Sequence, residues 1–318
     1  MVSEILRTQS PIVVLGFGRS GTTWISDIIS KALGGLVLFE PLHPQACSFA
    51  ADVCYGDLSG QASSRHVNAY LDAVLSKNYR QRWLLRNHLF TPLEEVSGEF
   101  IEAIWNECQV LGFKEIRANF MIPWLREQLD ARIVFVVRHP CAVIASIRKR
   151  ANFWKEFGWD THWQMFVDRA VATPVPAPSP ANVTVNAAQL VARSARSDLE
   201  KQAAMWAVTY AVAQAELGAA GVPLFYYEDF YERPFAASRA LFSFLGHPDI
   251  KMHPSHLFVP SMTTMRTVHG LAVSESNYVR HGEAMFWDGV LAESEVREIM
   301  AVVAASGIEA YGAPEMVD

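Results

Sequence analysis

Residues 11–30 read PIVVLGFGRSGTTWISDIIS: an apolar run, a glycine-rich turn, and then an apolar pattern with helical spacing. This order predicts a strand, a phosphate-binding loop and a helix, because unpaired N–H groups at a helix N-terminus attract an anion. Gly16 and Gly21 occupy the glycine positions of a G-x-x-x-x-G-K-[ST] loop, but Thr22 stands where that pattern has its lysine. Arg19 lies inside the loop, so we predict a phosphate cradle whose positive charge comes from an arginine.

Apolar segments of strand length recur along the chain, with helical patterns between them. This alternation predicts an α/β fold of three layers, with a central parallel sheet flanked by helices. The length of 318 residues and the hydrophobic content of 51% suit one domain over residues 1–318. Four prolines predict an exposed loop insertion at residues 173–186. We expect the clearest strands at residues 12–17, 36–39, 110–116, 133–137 and 224–227.

Residues 132–150 read RIVFVVRHPCAVIASIRKR, which predicts a buried strand that passes directly into a helix. Arg138 ends this strand, and Ser146 follows eight residues later on the helix. A strand end and the inward face of the next helix can point into one crevice, where open parallel sheets bind ligands. The structural alternative is an arginine that caps a strand and a serine on a helix face.

Two later segments contain further candidate residues. Residues 222–246 read VPLFYYEDFYERPFAASRALFSFLG, which predicts a strand, a polar turn and an amphipathic helix that starts near a proline. Residues 279–289 read VRHGEAMFWDG, which by itself would suit a surface loop anchored by a tryptophan. The candidates in these segments are Tyr227, Arg280, His281, Gly282 and Trp287.

With these four segments in this order, the chain resembles the sulfotransferases that use 3′-phosphoadenosine 5′-phosphosulfate (PAPS). The first loop is similar to their [KR]-S-G-T-T-[WL] pattern. The resemblance implies a P-loop-like fold and transfer of a sulfuryl group from PAPS to a hydroxyl acceptor, with PAP as product. It is closer to the carbohydrate-type branch than to the cytosolic phenol and steroid branch, which implies a carbohydrate or glycolipid acceptor.

The resemblance also implies roles for individual residues. The loop amides and hydroxyls would hold the 5′-phosphate, Arg138 and Ser146 would hold the 3′-phosphate, and Tyr227 and Trp24 would lie near the adenine. His281 replaces a lysine of the family's R-K-G pattern, which makes cofactor affinity more dependent on pH. The expected donor-binding residues are Gly18, Arg19, Ser20, Gly21, Thr22, Thr23, Trp24, Arg138, Ser146, Tyr227, Arg280, His281 and Gly282.

In-line sulfuryl transfer needs a base beside the acceptor and positive charge beside the leaving phosphate, and Arg19 is placed to supply that charge. Glu40 ends the second strand in GLVLFEPLHP, an element similar to the F-E-P of carbohydrate-type enzymes, whose glutamate is the proposed base. His88 is the alternative base, because LLRNHLF resembles the T-H-L-P element of the cytosolic enzymes; its distance in sequence from the Arg138 strand favours Glu40. Lys114 is expected to assist the sulfuryl group, with a strand-end salt bridge as its structural alternative.

Composition argues against several other classes. A net charge of −6 gives no basic surface for nucleic acid. Four cysteines without metal-binding spacing, no signal-peptide core and no membrane-spanning run predict a cytoplasmic protein without a metal or a transmembrane segment. Two other functions stay open: a P-loop kinase using ATP and magnesium, which Thr22 disfavours, and a non-catalytic nucleotide-binding protein of the same fold.

Overall fold

The structure is a computed structural model that describes residues 10–58, 64–89, 93–150, 154, 158–172, 180–253, 256–257 and 287–311. Its strands are β1 (Ile12–Leu15), β2 (Leu36–Phe39), β3 (Val110–Glu115), β4 (Arg132–Val137) and β5 (Leu224–Tyr226). They form one parallel sheet in the order β2-β3-β1-β4-β5. All five expected strands are therefore present, and their ends differ from the expected ones by two residues at most.

Helices cover both faces of this sheet. None of the described helices is both long and apolar enough to cross a membrane. Short 3₁₀ segments occur at Arg82–His88 and Leu93–Glu95, and a π turn occurs at Val167–Val171. The helices are α1 (Thr22–Leu33), α2 (Ala50–Val53), α3 (Ser64–Leu75), α4 (Gly98–Glu107), α5 (Ile122–Leu129), α6 (Pro140–Arg148), α7 (Trp159–Phe166), α8 (Pro180–Ser194), α9 (Asp198–Ala219), α10 (Tyr227–Glu232), α11 (Pro234–Phe244) and α12 (Glu293–Ala305).

Alternate residues of the strands pack into two separate hydrophobic layers, which is why each strand reads as a continuous apolar run. Val13 and Leu15 of β1 pack in one layer with α5, α6 and α9. Ile12 and Val14 of the same strand pack in the other layer with α1 and α11. The predicted three-layer α/β fold is therefore confirmed.

The order of the strands places a crevice between β1 and β4, which are neighbours in the sheet. The chain leaves β1 toward β2 on one side and leaves β4 toward β5 on the other. Because right-handed crossovers in opposite directions lie on opposite faces, α1 and α6 separate at this point. Ligands bind at such a switch point, outside the carboxyl ends of the strands.

The proline-rich segment differs from its expected structure. Residues 173–179 of the expected loop lie outside the described residues, but α8 begins at Pro180. The loop prediction is therefore wrong for residues 180–186, because proline is tolerated at the start of a helix, where its missing N–H costs nothing. Val185, Ala188 and Ala192 then form the buried face of this helix.

Candidate active site

Each of the five strands delivers a candidate residue to the same edge of the sheet, at or just beyond its carboxyl end. Parallel strands make this possible because all their carboxyl ends lie on one side. Beyond the strands follow Gly16 after β1, Glu40 after β2, Arg117 after β3, Arg138 after β4 and Tyr227 after β5.

The phosphate loop, residues 16–21, requires its two predicted glycines. Gly16 has φ +153°, and a Cβ atom there would lie 2.4 Å from the carbonyl oxygen of Val136. Gly21 has φ +90°, and a Cβ atom there would lie 2.3 Å from Cδ2 of Tyr227. Gly21 is also the N-cap of α1, and no side chain caps the helix there. The first amides of α1 therefore have no side-chain acceptor at the cap, which suits an anionic ligand.

Asn119, which no sequence motif indicated, fixes the start of this loop. Its Oδ1 accepts a hydrogen bond from Gly16 N at 3.0 Å, and its Nδ2 donates to Gly16 O at 3.2 Å and to Ile116 O at 2.9 Å. The side chain is buried. A single asparagine in an irregular segment carries no local pattern that would reveal a partner 103 residues away.

Arg19, Arg138, Ser146 and Tyr227 meet beside the loop; together with Ser20 they are called the donor cluster below. Arg19 Nε donates to Ser146 Oγ at 2.9 Å, and Arg138 Nη1 donates to Arg19 O at 3.4 Å. The Arg138 guanidinium carbon lies 4.3 Å from the centre of the Tyr227 ring, a cation–π contact. The structure thus brings together residues that the sequence placed on three different segments.

Positive charge accumulates in the donor cluster. Burial, followed by the charges of Arg150 and Arg138, lowers the pKa of Arg19 to about 10. Ser20 Oγ and Arg138 Nε are buried and have no hydrogen-bond partner among the described residues. Crowded cations with unused buried donors suit a ligand that carries several negative charges.

The other predicted donor-binding residues occupy varied positions. Thr22 and Thr23 are buried in the first turn of α1. Trp24 is 7% exposed and packs edge-on against Tyr227, with 5.3 Å between ring centres, so Tyr227 contacts both Trp24 and Arg138. The buried Gly18 lies within the loop. Arg280, His281 and Gly282 lie outside the described residues.

Glu40, Lys114, Glu115 and Arg117 form a second group at this edge, called the base cluster below. Glu40 N donates to Lys114 O at 2.9 Å, which continues the pairing of β2 with β3. Lys114 Nζ lies 2.5 Å from Glu40 Oε1, and Arg117 Nη1 lies 2.8 Å from Glu40 Oε2. The ion pair of Lys114 was foreseen as one alternative, whereas Arg117 was missed.

The two cations keep the Glu40 carboxyl ionised. Burial alone would raise the pKa of Glu40, but Lys114 and Arg117, with a contribution from His43, lower it to about 2. The Glu40 charge also reaches the donor cluster, where it raises the pKa of Arg19 against the stronger opposing effects of burial and the arginines. The two clusters therefore lie within electrostatic range of each other.

Two of the candidate catalytic residues have backbone dihedrals that L-amino acids rarely adopt. Arg19 has φ +73° and Glu40 has φ +41°. A positive φ at a residue other than glycine costs roughly 1–2 kcal/mol and persists where the surrounding structure enforces it. Strain of this kind is common at functional sites. Tyr55, Lys77 and Asp130 also have positive φ, and Arg19 and Glu40 are the two of these residues that belong to the clusters at this sheet edge.

His88 lies apart from both clusters. Its Nε2 is 3.0 Å from the carbonyl oxygen of Val37, so that nitrogen carries the proton in this hydrogen bond. Burial lowers the pKa of His88 to about 4. Val37 is in the middle of β2, three residues before Glu40, which is about 10 Å along the strand. Among the described residues, no group of three or more His, Cys, Asp or Glu side chains could hold a metal ion.

Comparisons with known proteins place the chain in a family. A family model described as "Sulfotransferase family" matches residues 11–193, a range that includes the phosphate loop, Glu40 and the Arg138–Ser146 segment. No curated protein matches the chain. One similar solved structure is the "Sulfotransferase Domain from the Curacin Biosynthetic Pathway", with 13% sequence identity and a TM-score of 0.41 over 93% of this chain and 98% of that chain.

Proposed function

The chain belongs to the sulfotransferase family, and on that premise we propose that it transfers the sulfuryl group of PAPS to a hydroxyl acceptor, with PAP as the second product. The observation that carries the choice of donor is the donor cluster. Its cations crowd around a phosphate loop, and Ser20 Oγ and Arg138 Nε keep buried donor capacity unused among the described residues. A nucleotide with phosphates at both its 3′ and 5′ positions matches that excess of positive charge.

In this proposal the 5′-phosphate binds the loop amides and the hydroxyls of Ser20, Thr22 and Thr23. Arg138 and Ser146 bind the 3′-phosphate, and the Tyr227 ring contacts the adenine. The contact of Arg19 with Ser146 supports the arrangement, because it links the loop directly to the helix that follows Arg138.

The reaction requires one bond to form and one to break at sulfur. The acceptor oxygen attacks the sulfuryl group, the bond from sulfur to the 5′-phosphate oxygen breaks, and PAP leaves with the electron pair. Arg19 stabilises the negative charge that gathers on the leaving phosphate. The acceptor proton passes to the Glu40 carboxylate and then to solvent.

Glu40 is a weak base while both of its cationic partners remain, because they lower its pKa to about 2. We infer that Lys114 leaves the carboxylate for a sulfuryl oxygen when the donor binds. Its ammonium is a compact charge on a flexible stem, so the exchange needs no movement of the backbone. The same step raises the proton affinity of Glu40 and neutralises charge on the transferring group.

A carbohydrate or glycolipid hydroxyl is the proposed acceptor, on the similarity of Phe39-Glu40-Pro41 to the carbohydrate-type element. The cytoplasm is the proposed location, because all four thiols, Cys47, Cys54, Cys108 and Cys141, are free, as a reducing compartment favours. One domain over residues 1–318 is the proposed organisation.

Calorimetric titration with PAP, alongside ATP with magnesium, tests the proposed donor. Tight binding of PAP and weak binding of ATP would support it. The reverse preference would overturn it in favour of a P-loop kinase. PAP binding without release of labelled sulfate from PAPS, to any hydroxyl or to water, would instead identify a non-catalytic nucleotide-binding protein.

A further inference from the structure

We propose that Arg117 is a positioning residue for this reaction: it holds one oxygen of the Glu40 carboxylate in place, so that the oxygen facing Lys114 accepts the acceptor proton. The inference rests on the proposed function of Glu40 as the base. It adds a residue that belongs to none of the sequence motifs, and it assigns different roles to the two cations that bind Glu40.

Arg117 is held from several directions. Its Nη1 lies 2.8 Å from Glu40 Oε2 and 3.5 Å from Glu115 Oε1. Its backbone N donates to Glu115 Oε1 at 3.1 Å, and its carbonyl oxygen accepts from Tyr55 N at 3.3 Å. The side chain is 7% exposed. A guanidinium fixed at both its backbone and its tip can orient a carboxylate without moving during the reaction.

Glu115 is itself immobilised, which makes it a firm support for Arg117. Its carboxylate is fully buried and accepts hydrogen bonds from Leu42 N at 2.8 Å and from Ile116 N at 2.9 Å. These bonds tie the segment after β2 to the segment after β3. Backbone N–H groups therefore hold the Glu115 carboxylate, Glu115 holds Arg117, and Arg117 in turn orients the Glu40 carboxylate.

The Lys114 side chain is 3% exposed, but among the described residues its ammonium has no comparable support. Besides Glu40 Oε1, it contacts the Phe39 ring, whose centre is 4.4 Å away. The two oxygens of Glu40 thus differ: Oε2 faces a fixed partner and Oε1 faces a movable one. Once Lys114 moves, Oε1 is free to accept a proton while Arg117 keeps the carboxylate aligned.

Arg117 also sets the ionisation of Glu40 together with the other charged groups around that carboxyl. Removal of Arg117 takes away one of the two main cations, and burial then raises the pKa of Glu40. The titratable and charged groups that face Glu40 are Lys114 and Glu115 of β3, Arg117 after it, His43 of the segment after β2, and Arg19 of the phosphate loop.

Carboxyl titration by NMR, with ¹³C-labelled glutamate and Glu40→Gln for assignment, tests the proposal without any donor. In the wild type, Glu40 should show no titration above pH about 4. In Arg117→Gln its midpoint should rise by about one pH unit or more, and Arg117→Lys should restore the wild-type titration because it keeps the charge. The control is Arg148→Gln, which removes an arginine that pairs with Glu295 outside the site. This variant should leave the Glu40 titration unchanged.

Hydrolysis of PAPS with water as acceptor supplies the second readout. Arg117→Gln should reduce kcat about 10- to 100-fold and add an acidic limb to the pH profile, with PAP affinity kept within about threefold. Arg117→Lys should restore only part of kcat, because lysine has the charge without the planar guanidinium. If Arg117→Gln does not fold, Arg117→Lys decides the question.

Two results would overturn the positioning role: an unchanged Glu40 titration in Arg117→Gln, or a wild-type kcat in Arg117→Lys. A loss of thermal stability with normal kcat in the folded protein would also overturn it, because a purely structural residue behaves in that way. Failure of the wild type to bind PAP would contradict the proposed function instead. The NMR titration would still test whether Arg117 controls the ionisation of Glu40.

Discussion

The base cluster and the donor cluster lie at the same sheet edge but differ in how their cations are compensated. In the base cluster, two buried carboxylates face two buried cations, and both oxygens of Glu40 have a partner. In the donor cluster, no ion pair joins Arg19 or Arg138 to an acidic residue among the described residues. Within the described part of the chain, unused buried donors occur in both clusters: Ser20 Oγ and Arg138 Nε in the donor cluster, and Arg117 Nε in the base cluster. Because a buried charge is costly without a partner, the charges of Glu40, Lys114 and Arg117 are compensated within the fold, whereas those of Arg19 and Arg138 suit compensation by an anionic ligand. Mutations should separate the two: changes at Glu40 should affect chemistry, and changes at Arg138 should affect binding, whereas Arg19 contributes to both.

The largest effect is expected from Glu40→Gln. The amide cannot accept the acceptor proton, so turnover of PAPS should fall about 10²- to 10⁴-fold, the range that general bases contribute. Single-turnover release of labelled sulfate measures the chemical step, and calorimetry with PAP measures binding. We expect PAP affinity to stay within about threefold. An equal loss of PAP affinity and turnover would contradict the assignment of Glu40 to chemistry rather than to donor binding.

The same variant should change the acid sensitivity of the fold. Glu40 has its pKa lowered from an ordinary 4.5 to about 2, so its stabilisation is complete above pH 4.5 and is lost as the pH falls toward 2. The full effect corresponds to about 3 kcal/mol. Urea unfolding at pH values from 7 to about 3 should therefore show the wild type losing its advantage over Glu40→Gln as the pH falls. A constant difference across that range would mean that the ion pairs of Glu40 are not formed in solution.

Arg138→Ala tests the donor cluster. Hydrogen bonds to charged groups contribute about 1.5–3 kcal/mol each, so PAP affinity should fall about 10- to 100-fold. Turnover at saturating PAPS should change much less, because Arg138 is not assigned to the leaving group. Arg148→Ala is the matched control: it removes an arginine on α6 that pairs with Glu295, and PAP binding should be unaffected. A fall in turnover with unchanged affinity would move Arg138 from binding to chemistry.

The sequence predicted those residues of the two clusters that belong to local patterns, and it did not predict those that depend on long-range contacts. The strand ends and the glycines of the phosphate loop could be predicted because apolar runs and residue spacing are local signals. Arg117 and Asn119 could not, because their partners Glu40 and Gly16 are 77 and 103 residues away. Glu40 and Lys114 were each placed at a strand end, but their pairing depends on the adjacency of β2 and β3, which the sequence alone did not specify.

Substitution of His88 should have the smallest effect on turnover, and it tests the choice of Glu40 as the base. His88→Gln keeps a donor for the Val37 carbonyl, so we expect turnover within about twofold of the wild type and a loss of stability of about 1 kcal/mol. His88→Ala removes that donor from a buried carbonyl, so the loss of stability should be larger, about 1–3 kcal/mol, while sulfate release per folded molecule should persist. Glu40 and His88 are alternative candidates for the base, so their variants can be compared directly. Loss of the base slows the chemical step even in folded protein. Loss of a histidine that anchors β2 affects folding alone. If sulfate release survives in Glu40→Gln and disappears in folded His88→Ala, the base is His88, and the base cluster is a structural ion-pair network beside the reaction.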